Sequence, residues 1–371
     1  MSAPTLRRCR RCVMDTSDRD ITFDEAGHCN HCRDFFARIA RRSYRGEESD
    51  RELRVLVQRI QRAGRGKQYD CIIGVSGGID SSYAAYVAKR SGLRPLAVHM
   101  DNGWNSDIAV KNIKNLAKIL GIDYQSHVLD WEEFRDLQLS FLKASVPEIE
   151  TPTDIAIPAA LHQAAGQHGV RFILSGGNYA TEGILPAAWH YNAKDVRFLR
   201  AIHQRFGTRP LRTFPTFGFV RETYCKLVMG VRFVYLLNYV PYSKAAALEV
   251  LQEELGWQYY GAKHHESRIT AFVHSYVHPV KFGIDYRKAT LSTQICAGEV
   301  TREEALRLLE EPPFKADLIA ADTAYVAKKF GLSLEEFAEI LARPAKTHRD
   351  YPNDERFLEF VYRQYRQWFG G

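Results

Sequence analysis

Residues 69–90 read "YDCIIGVSGGIDSSYAAYVAKR", and the fold turns on how this stretch is read. Tyr69 to Val75 is a short, mostly apolar run of strand length, Ser76 to Ser82 are small turn residues, and from Tyr83 the spacing becomes helical. A strand that turns through glycines into a helix N-terminus is a cradle for anions. Glycine lets the backbone approach a phosphate closely, while free N–H groups and the helix dipole favour negative charge. The alternative is an ordinary strand-to-helix turn, and Ser-Gly-Gly-x-Asp-Ser at this position favours the phosphate reading. The loop lacks the lysine of Gly-x-x-x-x-Gly-Lys-Ser/Thr, which reaches the outer phosphates in gamma-phosphoryl transfer. It also lacks the Gly-x-Gly-x-x-Gly of dinucleotide folds.

Downstream, strands "RPLAVHMD", "DYQSHVLD" and "VRFILSGGN" alternate with helices "DIAVKNIKNLAKIL", a segment from Trp131, and "DIAIPAALHQAAGQHG". That alternation predicts an α/β fold with a Rossmann-like parallel sheet covered on both faces. Ligands of such sheets lie at the carboxyl ends of the strands. Both Ser-Gly-Gly turns and Asp101 fall there. If the first and fourth strands are neighbours, Ser76–Ser82 and Gly176–Glu182 face each other across one crevice. From about residue 187 the pattern becomes helical, aromatic and basic. "KLVMGVRFVYLLNYVPY" is too short and interrupted for a membrane span and is expected to be a core helix. "TREEALRLLEE" carries Thr301 and Glu304 in capping-box spacing, and "RFLEFVYRQYRQWF" has amphipathic helical spacing.

The seven cysteines include two tight pairs, Cys9 with Cys12 and Cys29 with Cys32, separated by 16 residues. This is the spacing of a four-thiolate zinc site of closed, structural type, with the connector expected to fold as a hairpin. His28 and His31 are alternative ligands, and redox pairing is the competing reading. Cys71, Cys225 and Cys296 stand alone and are expected to be core residues. The chain has 51 Lys and Arg against 44 Asp and Glu, a net charge of +7. Residues 1–67 hold 16 of the basic and 10 of the acidic residues, nearly all of the excess. Such a basic segment suits nucleic acid, a solvated helix face or an acidic protein partner. "MSAPTLRRCRRC" has no apolar stretch behind its arginines, so neither a secretory signal nor an anchor is expected, and a cytoplasmic location is. The expected division is a zinc module at 1–45, a helical linker at 46–68, an ATP-binding domain at 69–186 and a mainly helical substrate or partner domain at 187–371.

The glycine loop resembles the PP-loop of ATP pyrophosphatases. More closely, "CRRCVMDTSD...ITFDEAGHCNHC", "GVSGGIDSSY", "SGGNYATEG", "GAKHHESRIT" and "KFGIDYRKATLS...AGEVTREEAL", in this order, resemble the N-acetyl sugar amidotransferases of bacterial surface-polysaccharide and flagellin-sugar biosynthesis. The resemblance spans Cys9 to beyond Leu306. It implies conversion of an acetamido group on a sugar, expected to be nucleotide-linked, into an acetamidino group, with ATP as activator and ammonia as nucleophile.

The implied ATP site is Ser76, Gly77, Gly78, Asp80, Ser81, Ser82, Asp101, Gly176, Gly177 and Asn178. Magnesium falls to Asp80 and Glu182, structural zinc to the four paired cysteines. Within "KHHESR", Lys263 and Arg268 are candidates to grip a carboxylate or diphosphate, and His265 or Glu266 to take a proton from ammonia. Lys281 is a candidate to neutralise the alpha phosphate. Simpler roles compete for several of these: helix capping for Asp80, Asp101 and Asn178, and surface ion pairing for the cations. No glutaminase block is visible, so ammonia is expected from solution or from a partner glutaminase docked on the basic zinc module. The alternative is a tRNA-modifying PP-loop enzyme. Sulfur-transferring members employ cysteines near the loop, and Cys71 inside a strand does not suit that role.

Overall fold

The computed structural model describes residues 6–259, 266–314 and 316–369. The N-terminal segment is followed by α1 (Asn30–Arg42) and α2 (Gly46–Ala63). Then come β1 (Cys71–Gly74), α3 (Ile79–Arg90), β2 (Pro95–Asp101), α4 (Asp107–Leu120), β3 (Asp123–Val128), α5 (Trp131–Ala144), α6 (Thr151–Gln167), β4 (Phe172–Ser175) and the short α7 (Tyr179–Glu182). After α8 (Val196–Phe206) and α9 (Phe219–Leu227), β5 (Arg232–Tyr235) is followed by α10 (Lys244–Leu255), α11 (Arg268–Phe272), α12 (Tyr286–Ala297), α13 (Arg302–Glu310), α14 (Ala316–Phe330), α15 (Leu334–Ala342) and α16 (Glu355–Phe369). A π-helix, Val273–Phe282, continues directly from α11.

The sheet is parallel throughout, in the order β3-β2-β1-β4-β5. β1 pairs with β2 through Ile72 opposite Leu96, and with β4 through Ile72 opposite Ile173. The chain builds outward from β1 to β3 and then returns to β1's other side, so strand order reverses between β1 and β4. That reversal opens the crevice in which ligands of open α/β sheets sit. Successive residues of β1 point to opposite faces, as the strand period demands. Ile73 belongs to the buried cluster that includes Leu56 and Ile60 of α2, Ala84 of α3 and Leu251 of α10, and Ile72 to the one that includes Ala159, Leu161 and Ala164 of α6.

Three expectations are corrected here. "KLVMGVRFVYLLNYVPY" is not one helix: α9 ends at Leu227, Gly230 turns the chain at φ 67°, and Arg232–Tyr235 forms the edge strand β5. Positive φ at glycine stops the helix, and the aromatic and β-branched residues beyond it suit a pleated surface. The sheet therefore extends past residue 186. Likewise α2 is no mere linker, because Leu56, Val57 and Ile60 are buried in the core on one face of the sheet. The cysteine connector contains no long hairpin; antiparallel bridges Arg8 to Asp15 and Phe23 to Cys29 close two separate short turns. Thr301 and Glu304 do form the capping box of α13. Among the described residues, no helix is long and apolar enough to cross a membrane.

Candidate active site

The first Ser-Gly-Gly turn is shaped by contact with α4. Gly77 has φ 82°, and a Cβ there would stand 2.6 Å from the Ala109 carbonyl oxygen, so only glycine fits. The hydroxyl of Ser76 accepts from Gly78 N–H at 3.2 Å, and Ser81 Oγ accepts from Ser76 N–H at 3.1 Å. Gly78 stands at the N-cap of α3 and no side chain caps that helix. Its first-turn N–H groups are therefore available to an anion, with the dipole in favour. Ser82 is buried one turn in.

Asp80 is in the first turn of α3, not at its cap. Its carboxylate accepts from Thr181 Oγ1 at 3.1 Å and from the Tyr242 hydroxyl. Each oxygen keeps acceptor capacity beyond these bonds. The contact with Thr181 joins the two Ser-Gly-Gly turns across the crevice, as adjacency of β1 and β4 requires. A Cβ on Gly176 would lie 2.5 Å from the main chain at Asp80, and one on Gly177 would lie 2.9 Å from the Tyr235 ring and 3.5 Å from Glu182 Oε2. Glu182 thus stands over the second turn on the side facing Gly177. Asn178 is buried and occupied locally: its Oδ1 caps α7 by accepting from Thr181 N–H at 2.9 Å, and its Nδ2 donates to Gly176 O. Capping of this kind is a common use of asparagine in turns.

At the end of β2, Asp101 accepts from Gly103 N–H at 2.8 Å and from Asn105 Nδ2 at 2.9 Å, while Ser106 caps α4. Asn105 Nδ2 also lies 3.0 Å from His99 Nε2, whose other ring nitrogen lies 2.8 Å from Val75 O. Burial lowers the His99 pKa, which favours the neutral ring with its proton on Nδ1. The C-terminal region docks on this same edge. Ser106 N–H donates to Glu266 O at 2.8 Å, Arg268 N–H donates to Trp104 O at 3.0 Å, and Lys329 Nζ donates to Gly103 O.

The cations expected around "KHHESR" divide three ways. Lys263 and His265 lie outside the described residues. Arg268 lies over the Tyr325 ring at 3.5 Å and pairs with Asp322 at 3.6 Å. Lys281 donates to the carbonyls of Ile340 and Leu341 at the end of α15 (3.3 and 3.0 Å), and burial lowers its pKa to about 8. This is a helix-end position for Lys281, since the last carbonyls of a helix attract cations. Thr181, Tyr242, His99 and Asn105 carry no signal that singles them out in the sequence reading. Thr181 lies inside the quoted "SGGNYATEG", whereas Tyr242 comes from a distant segment with no local motif. Burial and the Asp80 charge push its phenol pKa up. Tyr242 also walls a cleft of about 600 Å³ lined by Tyr44, Arg45, Lys244, Tyr259 and Glu299.

The four paired cysteines are fully buried, with sulfurs all within 4.8 Å of one another. Cys9 to Cys32 is 4.0 Å, Cys12 to Cys29 is 3.7 Å and Cys29 to Cys32 is 3.6 Å. Tetrahedral zinc with Zn–S near 2.3 Å places sulfurs about 3.8 Å apart, so the cluster fits that ion, whereas a disulfide needs about 2.0 Å. Backbone N–H groups of Arg11, Cys12 and Cys29 point at Cys9 Sγ from 3.2 to 3.5 Å. His31 is not a ligand; its Nε2 pairs with Asp18 at 2.6 Å. The module is locked to α12 and α13: Val13 N–H donates to Ser292 Oγ at 3.2 Å, Lys288 holds Asp15, and Arg302 donates to the carbonyls of Cys9 and Cys12.

Residues 70–160 match the family model described as queuosine biosynthesis protein QueC, and residues 266–365 match that of the LPS biosynthesis protein WbpG-like, C-terminal domain. Each match covers about a quarter of the chain, and together they support a relation to the PP-loop ATP pyrophosphatase superfamily. The C-terminal match is to the WbpG-like proteins alone. No curated protein matches the sequence. Similar solved structures include the NMN synthetase of Francisella tularensis, at 14% identity over 78% of this chain and 98% of that one, with a TM-score of 0.36. The NH3-dependent NAD synthetase of Campylobacter jejuni is 14% identical over 77% and 97% of the two chains, with a TM-score of 0.32.

Proposed function

We propose that this PP-loop protein is an ATP-dependent amidotransferase that converts the acetamido group of an N-acetyl sugar, carried on a nucleotide, into an acetamidino group. The observation that carries the reading is the WbpG-like match at 266–365, docked on the carboxyl edge of the ATP-type sheet through Glu266 and Arg268. An amide oxygen is a poor leaving group. Attack of that oxygen on the alpha phosphorus of ATP expels pyrophosphate and leaves an imidate bearing AMP; ammonia then adds at carbon and AMP departs.

The uncapped N-terminus of α3 and the glycine backbone would hold the beta and gamma phosphates, and Asp101 at the end of β2 suits the adenosine side. Asp80, with Glu182 across the second turn, is assigned to magnesium, which would supply charge neutralisation for the departing pyrophosphate. Proton removal from ammonia is assigned to His265 or Glu266, and substrate anions to Lys263 and Arg268. The cysteine cluster is assigned to structural zinc. A partner glutaminase would supply ammonia at the basic N-terminal module.

A second reading, modification of a nucleoside in tRNA, draws on the queuosine-protein match at 70–160. One experiment separates them. Purified protein given ATP, ammonium and a panel of nucleotide-linked acetamido sugars should yield AMP, pyrophosphate and a sugar lighter by the difference between O and NH. ADP as product, or every sugar left unchanged while tRNA binds in a steeply salt-dependent way, would reject the sugar reading.

A further inference from the structure

The cysteine cluster has a fifth sulfur beside it. Cys296, near the end of α12, places its Sγ 3.7 Å from that of Cys32, as close as the cluster sulfurs are to one another. Cys32 is buried, whereas Cys296 is only partly so. Cys71 and Cys225 lie in the two cores that flank the sheet, away from this site. Four cysteines fill a tetrahedral ion, so Cys296 is surplus to coordination while touching a ligand. The contact is held in register from both sides, by Ser292 to Val13 N–H one turn earlier on α12 and by Arg302 on the carbonyls of Cys9 and Cys12.

We propose that Cys296 is an oxidation site that, on reaction with a peroxide, forms a disulfide with Cys32 and releases the metal. The proposal rests on zinc at the cluster and is independent of the sugar reading. The partly exposed Cys296 sulfur attacks hydrogen peroxide; the O–O bond breaks, one oxygen stays as the sulfenic acid and the other leaves as water with the thiol proton. The Cys32 thiolate then attacks the Cys296 sulfur, the S–O bond breaks and hydroxide leaves, taking up a proton as a second water. Two sulfurs have given up two electrons and one peroxide has been reduced. The sulfurs need only close from 3.7 Å to about 2.0 Å. With Cys32 oxidised, three thiolates remain and zinc affinity falls.

The test uses full-length, zinc-loaded protein titrated with hydrogen peroxide. Zinc release is followed with a metallochromic dye and disulfides by peptide mass spectrometry. The expected result is a Cys32–Cys296 crosslink that rises in step with released zinc, and at least ten-fold slower release in Cys296→Ser and Cys296→Ala variants whose circular dichroism matches wild type. Three results would overturn the proposal: equal release in the variants, disulfides confined to Cys9, Cys12, Cys29 and Cys32, or Cys296 oxidised to sulfinic acid with zinc retained. Protein that purifies without zinc would overturn it as well.

Discussion

Two turns of the same sequence, Ser76-Gly77-Gly78 and Ser175-Gly176-Gly177, cap neighbouring strands and begin alike. In each, the serine hydroxyl accepts from the N–H of the residue two positions on, at 3.2 Å. They then diverge. The first opens a 12-residue helix with no side-chain cap, whereas the second opens a four-residue helix capped by Asn178. The glycines also differ in purpose. Gly77 needs positive φ and space against α4, while Gly176 and Gly177 are needed because the Asp80 backbone and the Tyr235 ring press on them. One tripeptide thus makes an open anion cradle in one place and a spacer that lets two turns approach in the other. The difference lies in the residues after the glycines, Ile79-Asp80-Ser81 in one case and Asn178-Tyr179-Ala180 in the other.

The sharpest way to break this contrast is Asp80→Asn, which keeps the shape of the first turn and removes its charge. AMP formation should fall at least about 100-fold while the unfolding midpoint stays near wild type; near-native turnover would remove Asp80 from the chemistry. Metal removal should separate the turns differently. The second turn leans on the cysteine module, since a Cβ at Gly183 would meet the Phe35 ring at 2.5 Å and Ile184 N–H donates to Thr293 Oγ1 of α12. Chelating the zinc should therefore raise amide exchange across 176–184 by about ten-fold while 76–82 changes little. Equal loosening of both turns would refute that dependence.

Gly176→Ala should cost about 3 kcal/mol in denaturant unfolding, because the group it meets is main chain and cannot swing away. Gly177→Ala should cost less, since the Tyr235 ring can turn; the reverse order would show the spacer role misassigned. Asn178→Ala is the smallest effect expected, about 1 kcal/mol from loss of the cap, with Asn178→Asp keeping most of it. A much larger loss of ATP binding than of stability in Asn178→Ala would restore a phosphate role to that residue.

What sequence made legible was local. The cradle, the strand and helix alternation and the paired cysteines each depend on residues a few positions apart, and spacing alone reports them. The misread features are those fixed by distant partners. Cys296 reads as a lone core residue until α12 brings it to Cys32. The two terminal carbonyls that α15 presents to Lys281 are likewise invisible in its local sequence. Tyr242 carries no motif, and its meaning comes from a carboxylate 162 residues away. The apolar run at 226–242 misleads for another reason: continuous hydrophobicity does not separate a buried helix from a strand, and the break at Gly230 is the decisive local feature.

The edge strand β5 bears on how the chain is made. It joins β4 only after residues 176–231 have intervened, so during synthesis the ribosome must expose the chain beyond Tyr235 before the sheet can close. Until then β4 offers an unpaired row of backbone groups, a surface that invites association with other nascent chains. A fragment cut at the apparent boundary near residue 186 would carry that bare edge permanently, and a fragment for expression should extend past β5.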